Sequence, residues 1–214
     1  MENSKKYLLY FLILVYVSGA IGYLFQPQFF SPFTPFTLLY TCFVFLLFQE
    51  INNKKYLFSF LAIALIGYVS EVIGVKTGLV FGAYHYQSAL GFKVLEVPLV
   101  ISLNWALLIN IGILVASYFF IHPVKLALAS ALIITILDVL IEQIATDMHY
   151  WHFDSGIAGI HNYVAWFLIS FFTALLFQQN MLKGNKKIAL LFLGLQVFFF
   201  GLIYLNKLIK FVNL

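Results

Sequence analysis

Seven apolar runs dominate this chain: residues 7–25, 34–51, 56–75, 97–121, 124–147, 160–180 and 187–206. A helix that spans a bilayer needs about 20 mostly apolar residues, so nearly every run is long enough. Lipid offers backbone N–H and C=O groups no water partner, which leaves helices and closed barrels as the only spanning structures. Barrel strands alternate apolar and polar residues, whereas these runs are continuous. The expected fold is therefore all-α, a polytopic bundle of about seven transmembrane helices forming one integral membrane domain over residues 1–214. The second run is the shortest of the early ones and begins near Pro32 and Pro35, with a turn-rich connection expected over 26–33.

All twelve basic residues are lysines. Without arginine to read base edges, nucleic acid is a poor partner. The lysines instead suit the positive-inside rule. With the N-terminus inside, Lys5, Lys6, Lys54, Lys55, Lys125, Lys183, Lys186 and Lys187 fall on the inner side. Lys76, Lys93, Lys207 and Lys210 fall on the outer side. That majority favours N-in and C-out, and it places the two long connections, 76–96 and 148–160, together on the outer side. Lys5 and Lys6 precede the first run as in a signal peptide, but no small-residue cleavage site follows, so the first span reads as retained. The one cysteine, Cys42, excludes an internal disulfide and a cysteine metal cluster.

Only 9% of the chain is charged, yet Glu71, Asp138 and Glu142 lie inside or at the edge of apolar runs. An acid at mid-bilayer costs roughly 2.5–3.5 kcal/mol on insertion scales, so acids there usually mark a site. Asp138 and Glu142 are four residues apart and share a helix face. Two close carboxylates in a low-dielectric site do not both ionise cheaply, so one keeps its proton and serves as a general acid, and its partner serves as base or stabilises a cation. The plainer alternative is a pair of acids satisfied by Lys, His or backbone for packing. Glu71 either joins the pair across a helix interface or pairs with Lys76.

The first two spans and the last carry little interior polarity, so 7–51 and 187–206 read as scaffold and 56–180 as the catalytic core. Within that core two segments look alike. Glu71 aligns with Glu142, Tyr84-His85-Tyr86 with Trp151-His152-Phe153, Ser88 with Ser155, Asn104 with Asn162, and Trp105 with Trp166. This pattern suggests a parallel internal repeat of helix pairs 3–4 and 5–6, an arrangement that places sites at the repeat interface. Coincidence in an aromatic-rich chain is the competing explanation.

His85, His149, His152 and His161 cluster in the two connections with Asp147 and Asp154 nearby, donors that suit zinc or iron. No H-E-x-x-H and no multiple His-box pattern is present, so the expectation is no metal, with the histidines hydrogen-bonding near the membrane interface. Tyr84, Tyr86, Trp105, Tyr150, Trp151 and Trp166 form an aromatic belt, line a pocket for a polyene, or both. Asn104 and Asn162 hold a water or cap their helices. Gly74, Gly78, Gly82 and Gly91 prevent the first connection from forming one regular helix and suit a re-entrant, cavity-lining segment.

The run from Glu71 through Tyr84-His85-Tyr86, then Leu90-Gly91, Val97-Pro98-Leu99 and Asn104-Trp105, resembles the signature of the membrane carotenoid biosynthesis protein family. That family includes bacterial carotenoid 1,2-hydratases and the haloarchaeal bisanhydrobacterioruberin hydratase. The second block, Asp138 to Glu142, Tyr150-Trp151 and Asn162 to Trp166, is similar too, and together the blocks cover about residues 65–170. The resemblance implies a bacterial or archaeal cytoplasmic membrane protein that adds water to a terminal C=C of an acyclic carotenoid, giving a tertiary alcohol. It implies a carotenoid substrate, water and membrane lipid as partners, and no cofactor. Asp138, Glu142 and Glu71 are then the catalytic acids. Tyr84, His85, Tyr86, Asn104, Trp105, Trp151, His152, Asn162 and Trp166 are then the substrate-binding residues.

Other readings of the same residues are another lipid- or isoprenoid-modifying enzyme (isomerase, cyclase or metal-dependent hydroxylase), a proton-coupled transporter using the acids as a relay, and a structural membrane protein. The clustering of polar groups with aromatics toward one side favours the hydratase.

Overall fold

The computed structural model describes residues 2–212. Its helices are α1 (Glu2–Phe25), α2 (Pro27–Phe30), α3 (Thr34–Leu47), α4 (Lys54–Thr77), α5 (Leu99–Ala116), α6 (Pro123–Glu142), α7 (Ile160–Met181) and α8 (Lys186–Val212). Its short strands are β1 (Tyr84–Tyr86), β2 (Lys93–Val94), β3 (Val97–Pro98) and β4 (Trp151–Phe153). Among the described residues seven helical stretches are long and apolar enough to cross a membrane. The chain is an all-α integral membrane bundle.

The second span differs from its sequence expectation. It begins at Pro27 and not at 34, because α2, a 3-10 turn (Ser31–Phe33) and α3 run on end to end. Pro27, Pro32 and Pro35 each occupy the first or second position of a helical segment, where a missing N–H breaks no hydrogen bond. The fourth span starts two residues later than its apolar run, because Val97–Pro98 is drawn into a hairpin with Lys93–Val94. Leu95 and Glu96 at its tip both have positive φ (49° and 70°), as a two-residue type I′ turn requires. The fifth run continues to 147, but its helix ends at Glu142, and the chain turns there to reach β4.

α5 is buried along most of its length and is apolar on every side, as expected of a helix surrounded by others. It packs against α4, α6, α7, α3 and α8. Around it α4 packs on α5 as α6 packs on α7, and α5 meets α7 across the middle. The two long connections meet on one face of the bundle, where β1 pairs antiparallel with β4. His85 sits opposite His152, Tyr84 opposite Phe153 and Tyr86 opposite Trp151. Flanking bonds continue the ladder: Asp154 N–H donates to Ala83 O (3.0 Å) and Gln87 N–H to Tyr150 O (2.9 Å).

This ladder is what a two-fold relation between the repeated segments generates. Residues aligned in sequence change places across it, with His85 and His152 at the axis. Beneath it Trp105 and Trp166, also aligned, stack with centroids 3.8 Å apart and planes 8° from parallel. The stack registers α5 on α7, so the residue four before Trp105, Ile101, matches Asn162. Asn104 lies three positions off that match. Gly67 makes the stack possible, since a Cβ there would overlap the Trp105 ring.

Candidate active site

α4 delivers Glu71, and α6 delivers Asp138 and Glu142, to one cavity beneath the β1–β4 ladder. Tyr84, Tyr86, Asn104, Trp151, Asn162 and Trp166 also line it. The cavity holds about 30 Å³. A water molecule needs roughly 10–15 Å³ measured this way, so it admits water but not the end of a large apolar molecule unless its rings move. Glu71 and Asp138 are both 3% exposed.

Glu71 is enclosed by donors. Its Oε2 accepts from the hydroxyls of Tyr84 and Tyr86, the latter at 2.8 Å, and its Oε1 accepts from Trp105 Nε1 at 2.9 Å. Burial, and after it the charge of Glu71, push both tyrosine hydroxyls well above their ordinary value of 10.0. They therefore stay protonated and remain donors at any physiological pH. Both oxygens of the Glu71 carboxyl are thereby held in place by donors.

The second acid group is built differently. Asn162 Nδ2 bridges the pair, donating to Asp138 Oδ2 (3.0 Å) and to Glu142 Oε1 (3.1 Å). Trp151 Nε1 donates to both oxygens of Glu142 (3.1 and 3.0 Å). Asp138 Oδ1 has no hydrogen-bond partner among the described residues, so Asp138 has an oxygen free to carry a proton.

The structure thus brings together the three acids with Tyr84, Tyr86, Asn104, Trp151, Asn162 and Trp166. Trp105 stands one layer behind, supporting Glu71 and Trp166. His85 and His152 are not brought into the cavity. Side chains alternate across a strand, and the tyrosines facing inward on β1 force His85 outward. His85 is exposed and lies 3.5 Å from Asp154, and its ring is 5.6 Å from that of His152. His149 bonds Gln87 (Nδ1 to Oε1, 3.1 Å), and His161 is exposed. Among the described residues no three His, Cys, Asp or Glu side chains are grouped to hold a metal ion. Glu71 does not pair with Lys76, whose partner is Glu96 at 2.7 Å.

Phe81, Ile101, Leu108, Ile141 and Phe153 complete the lining, and sequence reasoning did not single them out as site residues. Phe153 was available from its alignment with Tyr86. Phe81 stands between Gly78 and Gly82, both with positive φ, and that flanking was its only signal.

A family model described as carotenoid biosynthesis protein matches residues 33–212. The chain belongs to this family. The match covers the acid cavity, both strands of its roof, most of the second span and every span after it. Comparison with curated proteins and with solved structures gives no match. Family membership gives the chain a role in carotenoid biosynthesis and a carotenoid as its substrate class.

Proposed function

We propose that this protein is a carotenoid hydratase, adding water to the terminal C=C of an acyclic carotenoid end group. The observation that carries the reading is the unequal division of three acids, Glu71 and Asp138 buried and Glu142 half-buried, around one water-sized cavity walled by aromatic faces. Asp138 gives its proton to the less substituted alkene carbon, and the π pair forms the new C–H bond. The tertiary cation left behind faces the Glu71 carboxylate and the rings of Phe81, Tyr84 and Trp166, groups already oriented for positive charge. Water attacks the cation, forming the C–O bond, and its surplus proton goes to Glu142. Asp138 and Glu142 lie one turn apart, so the proton returns to Asp138 and the cycle closes with one water consumed. No electrons are exchanged, and the reaction needs no cofactor. Entry of the end group requires Trp151 or Phe153 to swing aside, and Trp151 is the partly exposed one.

The lysine distribution supports an N-terminus on the cytoplasmic side, which puts the acid cavity near the opposite surface. The reading is tested by expressing the chain in a lycopene-producing host and weighing the pigment. A mass gain of one water, absent in the Asp138→Asn variant, is expected. Unchanged lycopene beside well-expressed protein would overturn it for that substrate.

A second reading, proton-coupled transport, has one observation in its favour. Away from the loop face, Asn110 Nδ2 donates to the Tyr56 hydroxyl and Asn180 Nδ2 to Ser59 Oγ (2.8 Å), a buried polar track in the same helices. Uptake into sealed vesicles with no hydrated product would support it.

A further inference from the structure

The acid cavity is too small for a carotenoid, and the rest of such a molecule must lie somewhere. A second cavity of about 470 Å³ lies outside the four-helix core, between α1, α2–α3 and α8. That volume is within the usual range of ligand pockets, about 300–1,000 Å³. On α1 its wall runs from Phe11 to Tyr23, roughly 18 Å at 1.5 Å rise per residue. The remaining walls are mostly rings, among them Phe30, Phe33, Tyr40 and Phe199. Three of the four lining tyrosines offer faces and not hydroxyls. Tyr16 OH is bonded to Thr41 (3.2 Å), Tyr23 OH donates to Met148 O (3.1 Å) and Tyr40 OH to Leu8 O (3.0 Å). An elongated chamber walled mostly by rings suits a long unsaturated hydrocarbon.

The chamber also adjoins the acid site. Tyr150 lines the chamber, and the next residue, Trp151, lines the acid cavity and holds Glu142. Their rings lie 5.9 Å apart, so the two spaces come close together at this pair of residues.

We propose that the α1–α3–α8 chamber binds the polyene body of the substrate, with the Tyr150–Trp151 pair as the passage of its end group to the acids. The inference rests on the carotenoid reading above. It turns the apparent scaffold spans into the substrate-holding part of the protein.

The test is lycopene binding to the purified full-length protein in detergent, read as pigment retained through size exclusion and as induced circular dichroism. Gly19→Phe fills the chamber, since a Cβ at Gly19 meets only Phe199 at an ordinary 3.6 Å. Thr37→Phe fills it from the facing wall and serves if the first variant does not fold. Leu14→Phe, at a 60% exposed position outside the chamber, is the control. Retained lycopene is expected to fall about tenfold in either filled variant and to stay unchanged in the control. Hydration of a short acyclic terpene alkene should proceed at the parent rate in the Leu14→Phe control.

Filled variants that retain lycopene as the parent does would overturn the proposal, as would a co-purifying phospholipid that excess lycopene fails to displace. The two readings fail separately. Lycopene held in the chamber but never hydrated counts against the hydratase alone. Hydration of lycopene untouched by filling counts against the chamber alone.

Discussion

The two acid centres occupy matching places in the repeat, yet they are wired in opposite ways. On the first side Glu71 takes bonds from Tyr84, Tyr86 and Trp105. On the second side Trp151 bonds Glu142 as its counterpart Tyr84 bonds Glu71. The other two donors are gone. Phe153 replaces Tyr86 and has no hydroxyl, and Trp166 makes no bond to Glu142 among the described residues. The cause is four residues back on the helix. Asp138 stands where the first side has Gly67, the residue whose missing Cβ lets Trp105 lie against α4. One side is built to hold a single carboxyl still, and the other keeps a second acid with an unoccupied oxygen. A repeat with two identical centres would offer two carboxyls enclosed by donors and no second acid beside either.

Breaking the difference at its source should have the largest effect. Asp138→Asn keeps the shape but removes the transferable proton, and hydration should fall by about 10²–10⁴-fold, the usual contribution of a general acid. Product formation per protein checks this, and a melting temperature near the parent's excludes misfolding. Glu71→Gln comes next. The amide nitrogen turns a donor toward groups that are themselves donors, and at least one buried N–H or O–H loses its acceptor. Stability should drop by about 1–3 kcal/mol together with a large loss of rate, read by thermal unfolding and turnover. A Glu71→Gln protein that is fully active would remove the cation-stabilising role.

Phe153→Tyr sharpens the comparison by making the second side more like the first. By the symmetry of the ladder its hydroxyl replaces the missing Tyr86 and donates to Glu142. A better-satisfied Glu142 is a weaker base, so turnover should fall by about tenfold with stability unchanged or improved. Turnover at the parent level would show that Glu142 takes no proton in the slow step.

How far the sequence showed these things depends on what each residue's neighbours are. The spans were legible because each is a long apolar run, and lipid permits only one answer to that pattern. Asp138, Glu142 and Glu71 were legible as acids where acids are expensive. The aligned Trp105 and Trp166 carried the repeat. The facing of the histidines was not legible, because their inward or outward aspect depends on strand register, and three-residue strands paired across 67 residues leave no local trace. The special place of Gly67 was equally hidden, since its role exists only once Trp105 is folded against it. The long chamber could not be foreseen, because its walls are ordinary membrane phenylalanines until α1, α3 and α8 leave a gap between them.

The alkaline limit should separate the two sides by a smaller effect. Tyr84 and Tyr86 keep their protons in the folded protein well above pH 10, while in the unfolded chain they release them near 10.0. Their contribution to stability is fully present below pH 10 and is lost as pH rises beyond it, because the unfolded state then binds fewer protons. Melting temperature should therefore decline above pH 10. The decline should be shallower in Tyr84→Phe and Tyr86→Phe, each measured against the parent over the same pH range.

The smallest effect is expected directly above the cavity. His85 and His152 face away from the acids on the outer surface of the ladder, and the contact of His85 with Asp154 joins two exposed side chains. Exposed pairs of this kind contribute little, and surface substitutions usually stay within about 0.5 kcal/mol. His85→Ala and His152→Ala should leave turnover and melting temperature close to the parent's. The experiment weighs more than its size suggests, because these histidines mark the two-fold axis and are among the most conspicuous polar residues in the chain. Loss of activity in His85→Ala with an unchanged melting temperature would mean that reacting atoms lie above the strands. The three acids below would then be a structural counterweight, and the contrast between Glu71 and the Asp138–Glu142 pair would no longer bear on the chemistry.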